Sequence, residues 1–362
     1  MSAMMPIMAS NRSPSGVVRA LVVDDSVVVR TVIERILNEH PAFTVVHKTN
    51  TAEHALAYLH AHEVDLVLLD IELPGQSGLA ALPAILQAAP RAKVAILSAN
   101  CDEGSGVAIE ALALGAGDIV SKPGSGSFGE HFPQALIDRL LRLVGRSTGT
   151  ATPAPAHPIL RTMPNMARHK LACLGVGAST GGIHALGQLF QGLAAPLGVP
   201  IVLTQHLPAS FTAYFTQQLA RMTSLRVKVA ETGDLLVPDT IFVAPGDANL
   251  QLRRGMDGRV TIVLNPDRTP AGNLPGVDPM FSSMAQVYGA GAAGVVLTGM
   301  GRDGTAGARD IVAAGGWIVA QDEASSVVWG MPGSVAGAGL TSALLEPPAI
   351  MDFVARRAQA VE

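Results

Sequence analysis

The chain has 362 residues, of which 48% are hydrophobic and 15% charged, with a formal net charge of -4. This composition excludes a disordered chain and leaves room for two domains, each with its own core. The mild acidity and the absence of any Lys/Arg block exclude nucleic acid as a natural partner, and no apolar run is long enough for membrane insertion. The two cysteines, Cys101 and Cys173, lie far apart without CxxC spacing, which argues against a zinc site or a disulfide framework. Residues 1–16 carry no basic segment followed by an apolar one, so they read as a disordered N-terminal extension rather than a signal peptide, and a cytoplasmic location is expected.

From residue 17 short apolar runs alternate with amphipathic ones. Strands are expected at Val18 to Val23, Phe43 to His47, Val64 to Leu69, Lys93 to Ser98 and Gly117 to Val120. Five such βα units predict a flavodoxin-like domain over 17–145, a five-stranded parallel sheet with helices on both faces. Functional groups in such a sheet gather at the C-terminal strand ends. Those ends carry Asp24 and Asp25, then Asp70, then Ser98, then Lys122. Any single Asp here could be a turn former or a helix cap. Three crowded carboxylates repel, however, and a hard cation such as Mg2+ relieves that repulsion. Asp70 is then placed to attack a phosphoryl group, with the Lys122 ammonium neutralising the transferred oxygens.

Residues 146–167, rich in Pro, Ala and Thr, read as a linker. The βα rhythm resumes over 168–362, where a second, doubly wound α/β domain is expected with one β-hairpin around Met256-Asp-Gly258. Within Leu171 to Gly182, Gly177-Ala-Ser179-Thr-Gly181 fits G-x-S-x-G, a turn that lifts one hydroxyl above a sheet edge at a helix N-terminus. The same run also reads as an ordinary glycine-rich turn, and Gly175-Val-Gly177 as a dinucleotide cradle. The latter needs an acidic residue closing the next strand, where Thr204-Gln205-His206 stands. His206 and Asp303 close later strands, so a hydroxyl, an imidazole base and an orienting carboxylate can converge on one face. Taken singly, His206 could merely end a strand and Asp303 could cap a helix. The cluster His54, His60 and His62 reads as a solvated helix face, and His184 as a packing or surface residue.

Val22-Val-Asp24-Asp25-Ser, Leu68-Leu-Asp70-Ile-Glu-Leu-Pro74, Ile96-Leu-Ser98 and Asp118-Ile-Val-Ser-Lys122-Pro123 resemble the signatures of bacterial response-regulator receiver domains. The resemblance implies that Asp70 accepts a phosphoryl group from a histidine kinase of the CheA type. It also implies that Asp25, Asp70 and the Glu72 carbonyl hold Mg2+ with Asp24 acting indirectly, and that Ser98 and Lys122 serve the phosphoryl switch. Further on, Gly175-Val-Gly-Ala-Ser179-Thr-Gly-Gly, Gln205-His206-Leu-Pro, Ala244-Pro-Gly246-Asp, Leu297-Thr-Gly-Met-Gly-Arg-Asp303-Gly and Gln321 to Pro332 are similar to the catalytic domain of the CheB family. That implies a phosphorylation-regulated protein-glutamate methylesterase acting on methyl-accepting chemotaxis receptors, with glutamine deamidation beside it. Ser179 would be the nucleophile, His206 the base, Asp303 its orienting carboxylate and the Met300 main chain an oxyanion donor, with no cofactor at the esterase site. The alternative is a CheB-like scaffold with weak or no catalysis. The chain departs from the family pattern at Ile119, where the aromatic switch usually stands, and at Gln76-Ser77-Gly78. It departs again at Asn249, Asn273-Leu274-Pro275 and Gly333, all expected to flank the site.

Overall fold

The structure, a computed structural model, describes residues 16–98, 105–122, 132–145, 170–191, 193, 195–268 and 272–359. Cys101, Asp102, Pro123, the N-terminal extension up to Ser15 and the expected linker lie outside the described residues.

The first sheet is built from β1 (Val18–Val23), β2 (Phe43–Thr49), β3 (Leu66–Asp70), β4 (Lys93–Ser98) and β5 (Asp118–Ser121), all parallel in the order β2-β1-β3-β4-β5. Its helices are α1 (Val27–Glu39), α2 (Ala52–Ala61), α3 (Gly78–Ala88), α4 (Ser105–Leu114) and α5 (Phe132–Leu143). Every residue of β3 is buried, as an apolar run covered by helices on both faces requires. The first three helices start where the sequence supplies an oxygen cap: Ser26, Thr51 and Ser77 each accept a hydrogen bond from the N–H three residues on.

The second sheet has seven parallel strands in the order β14-β13-β12-β6-β7-β9-β8. In chain order it runs β6 (Cys173–Ala178), α6 (Gly182–Gln191), β7 (Ile201–Gln205), α7 (Ala209–Met222), β8 (Arg226–Val229) and β9 (Thr240–Val243). After an antiparallel hairpin of β10 (Asn249–Arg254) and β11 (Val260–Asn265) come α8 (Val277–Tyr288), β12 (Ala292–Val296), α9 (Thr305–Ala313), β13 (Trp317–Gln321), α10 (Met331–Gly337), β14 (Ala343–Leu345) and α11 (Pro347–Gln359). From β6 the chain first builds outward through β7, and later returns on the other side with β12. Strand β6 is therefore the switch point of the sheet, where ligand sites form in open α/β folds.

The Gly175-Val-Gly177 pair has a packing role. A Cβ on Gly175 would lie 2.5 Å from Met284 Sδ, and one on Gly177 would lie 2.5 Å from Val277 Cγ1. The glycines let α8 settle directly on β6, which accounts for them without a nucleotide. Among the strands and α-helices, three escape the sequence reading: β8, β14 and α10. The two strands are short sheet edges of four and three residues, and α10 is a seven-residue helix that opens on Met331-Pro332-Gly333. Each is too short to show a period.

Candidate active site

Three neighbouring strand ends converge. Ser179 follows β6, His206 follows β7 on one side, and Asp303 lies in the loop after β12 on the other. The His206 main-chain N–H donates to the Ala178 carbonyl (3.0 Å), which holds the imidazole-bearing residue against the serine turn. His206 Nε2 lies 2.8 Å from Asp303 Oδ2. A neutral imidazole bonded in this way carries its proton on Nε2 and keeps a basic lone pair on Nδ1. Ser179, His206 and Met300 line one cavity, in which no hydrogen bond joins the Ser179 hydroxyl to the imidazole among the described residues. Such bonds commonly tighten only when substrate binds.

Asp303 is 2% exposed and satisfied on both oxygens. Oδ2 also accepts from Val277 N–H (2.8 Å), and Oδ1 from Asp278 N–H (3.0 Å) and Gly304 N–H (2.9 Å). The carboxylate thus caps the N-terminus of α8, whose own N-cap, Gly276, offers no side chain. Capping and orienting the imidazole are one arrangement here, not competing readings. Burial pushes the Asp303 carboxyl up, but the His206 bond and the main-chain N–H groups outweigh it and hold it below the usual range. Neighbouring Asp278 is pushed up to about 6, first by burial and then by the charge of Asp303, against the opposing Gly307 N–H.

The turn that carries Ser179 rests on polar residues that the sequence reading passed over. Ser179 N–H donates to the Thr298 carbonyl (3.1 Å), while the Ser179 carbonyl accepts from Gly182 N–H (2.8 Å) and from Gln205 Nε2 (2.9 Å). Thr298 Oγ1 donates to the Thr180 carbonyl (3.0 Å), and Gln321 Oε1 accepts from Thr298 N–H (2.8 Å). Their signal was present as polar side chains in otherwise apolar strand runs, since a buried polar group must find a partner. Gly181 has φ 76° and a Cβ there would lie 2.5 Å from Val327 Cγ2, so the turn admits only glycine. The Met300 N–H, close to the cavity, donates to no other group among the described residues.

Two departures from the family pattern find structural reasons. Asn249, expected beside the site, does not line the cavity. It is 2% exposed, donates from Nδ2 to the Asp267 carbonyl (2.6 Å) and accepts on Oδ1 from Gly276 N–H (2.7 Å). It therefore fixes the entry to α8, one residue before Val277. Gly333 sits beneath an indole, where a Cβ would come within 2.9 Å of Trp329 Cε3.

The first domain covers this site. Helix α4 lies against α6 and α7, Gly181 N–H donates to the Gly117 carbonyl (3.2 Å), and His184 Nδ1 is 2.8 Å from the Ala113 carbonyl. His184 is thus a docking residue. Val327 packs on the first domain's core and also touches Gly181.

At the other strand ends, Asp24, Asp25 and Asp70 bring carboxylate oxygens within 4.8 Å of one another. Asp24 and Asp70 are buried, and Lys122 Nζ lies 3.0 Å from Asp24 Oδ2 and 2.6 Å from Asp70 Oδ2. The ammonium is the group that compensates these two buried oxygens. Burial raises the Asp70 carboxyl above its ordinary value against the pull of Lys122. Lys122, although burial opposes it, is held above its ordinary value by the two carboxylates. Asp24 Oδ1 is taken by Ser26 N–H (2.9 Å), and Glu72 N–H donates to Asp70 Oδ1 (3.1 Å), bringing that main chain to the cluster. Ser98 is buried at the end of β4 and its carbonyl accepts from Lys122 N–H (2.6 Å). The oxygen-only donor set, with two buried carboxylates short of donors, fits a hard divalent ion. Ile119 lines the cavity on the docked face instead of joining this cluster. Among the described residues, no helix is long and apolar enough to cross a membrane.

Comparison with known proteins places both halves. Residues 174–354 match the CheB methylesterase family model and residues 20–127 the response regulator receiver domain model. A protein-glutamate methylesterase/protein-glutamine glutaminase 2 of Caulobacter vibrioides is 40% identical over 95% of this chain and 99% of its own length. A protein-glutamate methylesterase/protein-glutamine glutaminase of Maricaulis maris is 36% identical over 97% of this chain and 98% of its own. The solved CheB methylesterase catalytic domain of Thermotoga maritima is 33% identical, with 52% of this chain and 99% of that one covered at a TM-score of 0.49.

Proposed function

This chain belongs to the CheB methylesterase family, with a response-regulator receiver ahead of the hydrolase, and from that premise we propose that Ser179, His206 and Asp303 carry its activity. The activity is protein-glutamate methyl ester hydrolysis and protein-glutamine deamidation on chemoreceptors, under control of a kinase phosphodonor. The observation that carries the assignment is the 2.8 Å bond between His206 and Asp303 in the cavity that also holds Ser179.

Ser179 Oγ attacks the γ-carbonyl of the ester while its proton passes to His206 Nδ1. The oxyanion is stabilised by the Met300 N–H, and Asp303 balances the imidazolium that forms. Collapse breaks the carbonyl–OCH3 bond, and the imidazolium protonates the leaving oxygen to give methanol. Water, deprotonated by the same imidazole, then hydrolyses the glutamyl-enzyme, and Ser179 regains its proton. With a glutamine substrate the leaving group is ammonia.

In the receiver, over 17–145, Asp70 accepts the phosphoryl group from a CheA-type kinase. Asp25, Asp70 and the Glu72 carbonyl would hold Mg2+, with Asp24 acting indirectly; the ion would neutralise charge on the phosphoryl oxygens. Lys122 binds those oxygens, and Ser98 takes part in the switch. The work is done in the cytoplasm, with residues 146–167 as the tether to the hydrolase at 168–362. The docked receiver shields Ser179 from a receptor helix, and phosphorylation favours release. A full swing from mostly docked to mostly free needs about 5.5 kcal/mol, so activation by a single phosphoryl group is expected to be partial. Ser179→Ala is expected to end methanol release from methylated receptor membranes while leaving Asp70 phosphorylation intact. Methanol release by that variant at the wild-type rate would refute the assignment.

A further inference from the structure

Docking does not fill the site. Between the two domains remains a cavity of about 310 Å3, with Ser179, His206 and Met300 on one wall and Asp118, Arg139 and Arg142 of the receiver on the other. An α-helix with its side chains is about 10 Å across, and the docked receiver wall of Asp118, Arg139 and Arg142 stands between such a helix and Ser179. The cavity instead falls at the lower end of small-molecule sites, about 300–1,000 Å3.

The two arginines differ in what they have left to offer. Arg139 is committed to Asp118 through two bonds of 2.6 Å. Arg142, near the end of α5, forms no ion pair among the described residues, and its exposure opens that wall to solvent. A guanidinium stays charged at any accessible pH and its planar fork matches a carboxylate. The docked protein thus presents a hydroxyl, an imidazole and an uncommitted cation around one small chamber.

We propose that the docked, unphosphorylated protein is an esterase for small anionic methyl esters, holding the ligand's carboxylate on Arg142 and its ester carbonyl at Ser179. The inference rests on the assignment of Ser179 above. The chemistry is the same: water and ester give a second carboxylate, methanol and a proton. Release of the receiver removes Arg142 from the site. Phosphorylation therefore exchanges one substrate class for another, weakening capture of the small anion as it admits the receptor helix.

The probes are N-acetyl-glutamate γ-methyl ester, which has a free α-carboxylate, and its neutral α-amide, with methanol release measured on the full chain. The unphosphorylated protein is expected to show a KM about ten- to a hundredfold lower for the acid than for the amide. Arg142→Ala is expected to erase that preference by raising the KM for the acid to that for the amide. A small acyl phosphate is expected to raise the KM for the acid while receptor demethylation rises. Equal KM values for acid and amide in the wild type, or a preference that survives Arg142→Ala, would overturn the proposal. So would an unphosphorylated protein inert toward both esters whose phosphorylated form demethylates receptors, and that result would leave the receptor activity standing. Receptor demethylation that persists in Ser179→Ala would instead sink the underlying assignment.

Discussion

Replacing Asp303 by asparagine keeps the side chain's shape and exchanges one oxygen for an amide. The native carboxylate accepts two bonds on each oxygen, from His206 Nε2–H and Val277 N–H on Oδ2, and from Asp278 N–H and Gly304 N–H on Oδ1. Either rotamer of asparagine therefore turns an NH2 group toward two donors. If the amide takes the Oδ1 position, two buried main-chain N–H groups lose their acceptor at about 1–3 kcal/mol each, or roughly 2–6 kcal/mol in all. If it takes the Oδ2 position, the imidazole stays bonded only by accepting on Nε2, which moves its proton to Nδ1 and removes the lone pair the serine needs. The wrong tautomer costs about 10^4 in kcat in an analogous triad. Asp303→Asn is accordingly expected to lower kcat by about 10^3 to 10^4, with KM for methylated receptors little changed, and to lower the urea midpoint. The assay is methanol release at pH 7 beside an equilibrium urea titration. A folded variant with kcat within tenfold of wild type would refute both the tautomer argument and the triad.

Other consequences can be measured independently. Because the Asp278 carboxyl rises from its ordinary 3.8 to about 6 in the fold, the folded chain retains a proton across that interval that the unfolded chain has released. Stability contributed by Asp278 should fall as pH rises through that window, and Asp278→Asn should flatten the slope of Tm against pH there; an unchanged slope would contradict the upward shift of the Asp278 carboxyl. Asp303, held below its ordinary value, contributes in the opposite sense and only at more acidic pH, its stabilisation being lost as pH falls through its folded value. Val327→Asp places a charge against Leu143 and Gly117 on the docked receiver. It should bring receptor demethylation by the unphosphorylated protein toward the phosphorylated rate, and equal rates in mutant and wild type would argue against Val327 as a docking contact. At Gly182 an added Cβ would lie 2.2 Å from Gln205 Oε1 and 2.8 Å from Ala178 Cβ, so Gly182→Ala should push the Gln205 amide off the Ser179 carbonyl. Expected are a lower Tm and a several-fold lower kcat, read by calorimetry and methanol release, and a variant with both unchanged would discount the support assigned to Gln205.

What the sequence determined by itself was whatever depends on near neighbours along the chain. Buried parallel strands are apolar throughout and their helices periodic, so the alternation that forms both sheets was legible. So was each chemical group standing at a strand end: Asp24, Asp25 and Asp70 in one half, and Ser179, His206 and Asp303 in the other. The tertiary structure decided what those groups touch. Only packing shows that Gly175 and Gly177 make room for α8, that Asp303 serves an imidazole and a helix end together, and that Asn249 braces the entry to α8 instead of lining the cavity. Gln205 and Thr298 gained their roles in the same way, because a buried polar side chain acquires meaning only from the partner the fold brings to it. The chamber between Ser179 and Arg142 belongs to neither domain's sequence, since its walls come from surfaces that meet only on docking.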